Sequence, residues 1–151
     1  MSLGGSMRET FPVAVHLILK KENQVLLLRR FQTGYEDGNY SLIAGHIDGN
    51  ETVTQAMIRE AKEEAGISIQ EEHLKIVQVM HRKKTKGEYI DYFFEAESWE
   101  GNIVNNEPHK CDDLSWFAPD DFPPNVIPYI KYALAAYESN EKFTFFGWSA
   151  V

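Results

Sequence analysis

The sequence predicts an α/β (α+β) fold on three observations. Apolar strand patterns lie on both sides of one strongly patterned helical segment, a second amphipathic helix follows near residue 130, and the composition suits a single core. With 151 residues, 43% hydrophobic and 25% charged, the chain can bury one sizeable core; it carries neither an internal repeat nor a low-complexity tract. One domain over residues 7–151 is expected. Residues 1–6, MSLGGS, are small and lack an apolar signal core, so they read as an expression remnant with Met7 as the native start.

Residues 12–20, PVAVHLILK, form an apolar strand. Glu22, Asn23 and Gln24 make a turn, and residues 25–30 return as the second strand of a hairpin. FQTGYEDGN at 31–39 is a Gly-rich loop with polar turn residues, placed to close over a ligand. Residues 40–44 are a short strand delivering the chain to Gly45. A second strand pair, 74–83 and 89–96, brackets Thr85, Lys86 and Gly87, and 114–117 is a short strand before the Pro-rich segment 119–128. YIKYALAAYESN at 129–140 has the spacing of an amphipathic helix. The aromatic tail 143–148 is either a covering strand or a contact with another subunit.

The stretch 45–67, GHIDGNETVTQAMIREAKEEAGI, is the most informative. At about 100° per residue, Glu60, Glu63 and Glu64 share one side of a helix. Three acids so close repel one another unless a cation neutralises them, and a hard divalent ion such as Mg²⁺ takes carboxylate oxygens. Glu51 lies eight residues before Arg59, about two helical turns, so the two can pair while leaving the other acids free. Gly45 and Gly49 bracket a loop entering the helix, where glycine allows unusual dihedrals and close approach. Gly66 ends the helix, and Val53, Met57 and Ala61 supply an apolar stripe at i, i+4 and i+8.

Net charge is −8, which argues against a general binder of nucleic-acid backbones, since those present basic surfaces. The single cysteine, Cys111, cannot form an internal disulfide and fits a reducing compartment, and no apolar run approaches a membrane span. A cytoplasmic protein is expected.

Gly45, five residues, Glu51, seven residues, then Arg59-Glu60-Ala61-Lys62-Glu63-Glu64-Ala65-Gly66-Ile67 resembles a complete Nudix box. That resemblance implies a Nudix fold, a mixed sheet sandwiched between helices with a loop-helix-loop metal site. It implies hydrolysis of a nucleoside diphosphate linked to a further group, with Mg²⁺ as cofactor and Mn²⁺ as a substitute. By the same resemblance Glu60, Glu63 and Glu64 are metal ligands, joined by the Gly45 carbonyl. Glu60, Glu63 and Arg59 form the catalytic set. Glu60 is the first candidate for the base, with a residue of the 107–113 loop as the alternative.

Outside the box, Arg29 and Arg30 end a strand directed toward the expected site, and at least one could hold a substrate phosphate in a forked hydrogen bond. Tyr35, Tyr40 and Trp116 could stack on a base, and Tyr40 stands where relatives often carry Trp. Residues 106–111 followed by Trp116 and Phe117 resemble a segment of MutT-like enzymes that act on nucleoside triphosphates, in which Glu107 could add a further acid. Cys111 reads as a small buried residue and His16 as a core or site-wall residue. Ile43-Ala44-Gly45 replaces the commoner Pro-Gly-Gly and alters the local loop. The leading expectation is a MutT-like hydrolase converting a nucleoside triphosphate, including an oxidised or non-standard one, to monophosphate and pyrophosphate. ADP-ribose, dinucleotide polyphosphates or nucleotide sugars are alternative substrates, and a catalytically idle nucleotide sensor is the alternative of another class. An isopentenyl diphosphate isomerase would want a cysteine early in the chain, whereas Cys111 follows the box. The expected partner is a small nucleotide substrate, with no nucleic-acid polymer and no membrane, and the protein is expected as a monomer or homodimer.

Overall fold

β1 (Val13–Lys21) and β2 (Gln24–Arg30) open the fold in the computed structural model, which describes residues 8–149. The expectations for residues 1–6 and Met7 lie outside those residues. Glu22 and Asn23 adopt φ of 51° and 61°, the left-handed pair that a two-residue hairpin turn requires. Gln24, expected in the turn, already pairs with Lys21 as the first residue of β2.

The hairpin ladder is short, with register pairs at Lys21↔Gln24 and Lys20↔Val25. Beyond it the two strands take different neighbours. β1 pairs with β4 (Ile43–His46) on one side and, in parallel, with β6 (Glu88–Ala96) on the other. β2 pairs with β3 (Tyr40–Ser41) and β7 (Cys111–Phe117). The mixed sheet therefore splays into two halves, and strands of both halves line the cavity between them. The single strand expected at 40–44 is instead β3 and β4, because Leu42 marks the crossing from one half to the other. Gly45 accordingly sits inside β4 and not in a loop.

α1 (Val53–Ala65) packs on one face of the sheet. Thr52 and Gln55 form a reciprocal capping box at its start, and Gly66 closes it at φ 71°. The stripe buries Met57 and Ala61 completely, with Val53 at its edge, against Val15, Leu17 and Leu19 of β1. α2 (Pro128–Glu138) begins with Pro in its first turn, where the missing N–H costs nothing. It places Ile130, Ala133 and Leu134 on the opposite face, against Ile18, Met80 and Phe93. β5 (Lys75–Lys83) pairs antiparallel with β6, and β7 starts three residues earlier than its sequence pattern suggests because it follows β2 as far as Arg30↔Cys111. The tail adds β8 (Phe143–Phe146) parallel to β5 at the sheet edge. Thr144 turns inward to donate to Gln78 Oε1 at 2.7 Å; Phe143 and Phe145 turn outward and are exposed.

Candidate active site

Arg59 is the hub of the box. Its Nε and Nη2 donate to the two oxygens of Glu51 at 3.2 and 2.8 Å, Nη2 also donates to the His46 carbonyl at 3.2 Å, and Nη1 donates to Glu60 at 2.8 Å. Asp48 and Glu63 lie at 3.3 and 3.6 Å. The Glu51 pair thus forms as the spacing suggests, but the expectation that it leaves the other acids free is corrected: Glu60 and Glu63 share the same guanidinium. Arg59 itself does not line the cavity. Its donors hold the acids and the β4 backbone in place, so in this geometry it positions the set.

Gly45 is required by what approaches it. A Cβ there would sit 2.2 Å from the carboxyl carbon and an oxygen of Glu60, so only glycine lets that carboxylate lie across β4. Its neighbour Gly49 serves the other purpose, adopting φ 83° in the loop before α1.

Glu60, Glu63 and Glu64 all line one edge of a cavity of about 640 Å³. Burial, then a hydrogen bond and charge from Glu60, push the Glu64 carboxyl well above the usual carboxylate range, and Glu107 adds to the effect; the Ala44 amide, donating to Glu64 at 3.4 Å, opposes it. Among the described residues no three acid, histidine or cysteine side chains converge as a ready metal cage, with Glu60 drawn to Arg59. The donor chemistry nevertheless fits a hard divalent cation. Burial and the neighbouring Glu60 disfavour charge on Glu64, a cost that such an ion would relieve, Glu63 lies one turn from Glu60, and all the donors are oxygens.

The cavity's other wall is cationic and aromatic. Arg30 lines it, with Nε donating to the Tyr35 carbonyl at 2.6 Å and Nη2 to Thr33 Oγ1 at 3.0 Å, so it also anchors the 31–39 loop. Arg82 lies 3.8 Å from the Tyr129 ring centre and 4.3 Å from that of Tyr89, and Lys84 is 5.0 Å from the latter. Of these residues only Arg30 and Tyr35 were candidates in the sequence. Arg82, Tyr89 and Tyr129 looked like strand and helix residues, and no local signal shows that β5, β6 and the start of α2 meet.

Arg29, Tyr40 and Trp116 fall outside the cavity. Alternation along β2 sends Arg29 away from Arg30, to donate to Asp112 at 2.7 Å and sit over Tyr40. Tyr40 is buried, its hydroxyl bonded to Asp113 and its ring edge-on to Phe117, so its place in the substrate set is corrected to the core. Trp116 packs on Trp99 instead. Glu107 does line the cavity. Its loop is tied down by Asn105, which donates to the Cys111 carbonyl at 2.7 Å, and Asn106, which donates to the Lys62 carbonyl at the end of α1 at 3.3 Å. Cys111 is buried, and burial pushes its thiol up, away from the thiolate a nucleophile needs.

Relatives share this architecture. The chain is 29% identical over 120 residues to the 8-oxo-dGTP diphosphatase of Escherichia coli K12, covering 78% of this chain and 92% of that protein. It is 33% identical over 120 residues to the ADP-ribose pyrophosphatase of Methanocaldococcus jannaschii, covering 80% and 66% respectively. The MutT NUDIX hydrolase structure from Burkholderia pseudomallei aligns with a TM-score of 0.77 at 26% identity, covering 84% of this chain and 98% of that one. Residues 10–137 match the NUDIX domain, and with the box, the fold and these relatives in agreement the chain belongs to the NUDIX family and is a Nudix hydrolase.

Proposed function

We propose that this Nudix pyrophosphohydrolase converts a nucleoside triphosphate, including an oxidised or non-standard one, to its monophosphate and pyrophosphate. The observation that carries the reading is one cavity with the Glu60, Glu63 and Glu64 carboxylates on one edge and Arg30, Arg82 and aromatic rings on the other. Likeness over 92% of the length of an 8-oxo-dGTP diphosphatase supports a triphosphate substrate.

The family is typically dependent on a divalent metal. Glu60, Glu63, Glu64 and the Gly45 carbonyl are the groups that would hold Mg²⁺, or Mn²⁺ in its place, which supplies charge neutralisation around the phosphates. Arg59 holds Glu60 in position and keeps Glu51 against β4. Arg30 carries no bond at Nη1 among the described residues, leaving donors for a phosphate oxygen. The proton of the attacking water passes to a carboxylate of the acid edge; Glu60 is the first candidate and Glu107 the alternative.

A second reading, ADP-ribose hydrolysis, has one observation in its favour, the 33% identity with an ADP-ribose pyrophosphatase. Product identification across nucleoside triphosphates, oxidised nucleotides, ADP-ribose, dinucleotide polyphosphates and nucleotide sugars, with Mg²⁺ and with chelator, separates the two. Metal-dependent monophosphate and pyrophosphate from a triphosphate is the expected result. AMP and ribose 5-phosphate from ADP-ribose alone would transfer the assignment, and silence across the panel from folded protein would point to an idle nucleotide-sensing domain.

A further inference from the structure

His16, Asp91 and Arg82 form a buried polar chain across β1, β6 and β5 that the hydrolysis chemistry above does not use. Asp91 is fully buried and accepts three hydrogen bonds: from Arg82 Nε at 2.7 Å, from Arg82 Nη2 at 3.1 Å and from His16 Nε2 at 3.0 Å. Burial opposes its ionisation, but the hydrogen bonds from His16 and Arg82 outweigh burial and hold the carboxyl below its usual range. An ionised carboxylate can only accept, so Nε2 is the donor to Asp91, and the tautomer that donates there leaves a lone pair on Nδ1. That Nδ1 is buried and, among the described residues, has no hydrogen-bond partner. Buried polar atoms are almost always satisfied, and this one belongs to a residue that lines the cavity.

We infer that His16 is the base-recognition residue of the site, its Nδ1 accepting a hydrogen bond from a ring N–H or exocyclic amine of the substrate's heterocycle. The inference rests on the nucleotide reading given above. The ring is fixed for the purpose: Asp91 holds one nitrogen, Phe93 stacks beneath it at 4.6 Å and 16°, and Tyr129 meets it edge-on at 5.8 Å. Asp91 and Arg82 are positioning residues that set the tautomer. Leu42, Ile127 and Tyr129 give this part of the cavity the apolar surface a heterocycle needs. The distance to the chemistry is also suitable. His16 pairs with Ala44 across the β1–β4 ladder, and the Ala44 amide reaches Glu64, so a single strand separates the proposed base floor from the acid edge.

The test uses His16→Gln, whose amide can still donate to Asp91 but leaves nothing at the Nδ1 position, and His16→Asn, whose shorter amide restores a polar group near Nδ1. Each is assayed for kcat/KM on the four ribonucleoside triphosphates and on ribose 5-triphosphate, which lacks a base, with thermal melting as the check on folding. The expected result for His16→Gln is a loss of about tenfold or more on the preferred nucleotide, carried by KM, with ribose 5-triphosphate within twofold of wild type. Partial recovery is expected in His16→Asn. Equal losses on both kinds of substrate would reduce His16 to a structural role and overturn the inference. If wild type hydrolyses no triphosphate, the functional reading fails separately. The ¹⁵N resonance of His16 Nδ1 on addition of the four nucleoside monophosphates then decides: a shift absent with ribose 5-phosphate sustains base recognition, and an unmoved resonance overturns it.

Discussion

Glu63 is the exposed member of the acid set, 51% exposed on the rim of the cavity, so its substitution tests chemistry with little cost to the core. Glu63→Gln is expected to lower kcat/KM by about 100-fold or more while the melting temperature holds; unchanged turnover in the folded variant would remove Glu63 from the metal set. Gly45→Ala separates site from fold in a different way. The three atoms nearest the new Cβ all belong to the Glu60 side chain, which can swing aside, so stability should stay close to wild type while turnover falls by about two orders of magnitude. A large drop in melting temperature would show that Gly45 serves the fold. Asp91 gives the pH dependence. Its folded pKa lies below the ordinary 3.8, so its contribution to stability is present above that value and is lost as pH falls through the folded pKa. Asp91→Asn should lose roughly 3 kcal/mol at neutral pH, because Arg82 is left buried without its counter-charge, and should show a shallower decline below about pH 4 than wild type in denaturant melts across pH 2–6.

α1 is the element most legible in the sequence because its signals are local. The capping pair Thr52 and Gln55, the buried stripe of Met57 and Ala61 and the left-handed Gly66 all fall within one short segment. Thr52→Ala should cost about 1 kcal/mol, measured by chemical denaturation, with kcat within a few-fold of wild type, since the acids sit at the far end of the helix. A loss of activity larger than the loss of stability would mean that the cap also sets the orientation of the acids. The hairpins were legible for the same local reason. The division of residues 40–46 into β3 and β4 was not, since it depends on which partner strand each residue meets. β8 was half legible: its aromatic alternation is visible, whereas its parallel partner β5 lies some sixty residues away.

The cavity belongs to the whole molecule, because it exists only where β1 and β2 part and take new neighbours. This geometry distinguishes two adjacent arginines of the same type. Arg30 lines the cavity and anchors the 31–39 loop, whereas Arg29 pairs with Asp112. Arg30→Ala should raise KM for the nucleotide by about tenfold or more, while Arg29→Ala should leave kinetics within twofold. Equal effects would show that substrate also reaches the Arg29 side of β2.

The sequence by itself determined the candidate acid set and the Glu51–Arg59 pair, though not that Glu60 and Glu63 share the same guanidinium. Glu51, Arg59, Glu60, Glu63 and Glu64 lie within one helix and the loop before it, where spacing along the chain fixes which side chains meet. The opposite wall of the cavity and the buried polar chain behind it were decided only by the tertiary structure. His16, Arg82, Asp91 and Tyr129 come from three strands and the start of α2, and no periodicity within any of these segments records that they converge. Tyr40 shows the same limit from the other side. An aromatic residue just before the box suits either stacking or core, and the hydroxyl of Asp113's partner Tyr40, buried beside Phe117, put it in the core. Residues close in sequence interact through local geometry, while residues far apart meet only once the sheet has chosen its strand order.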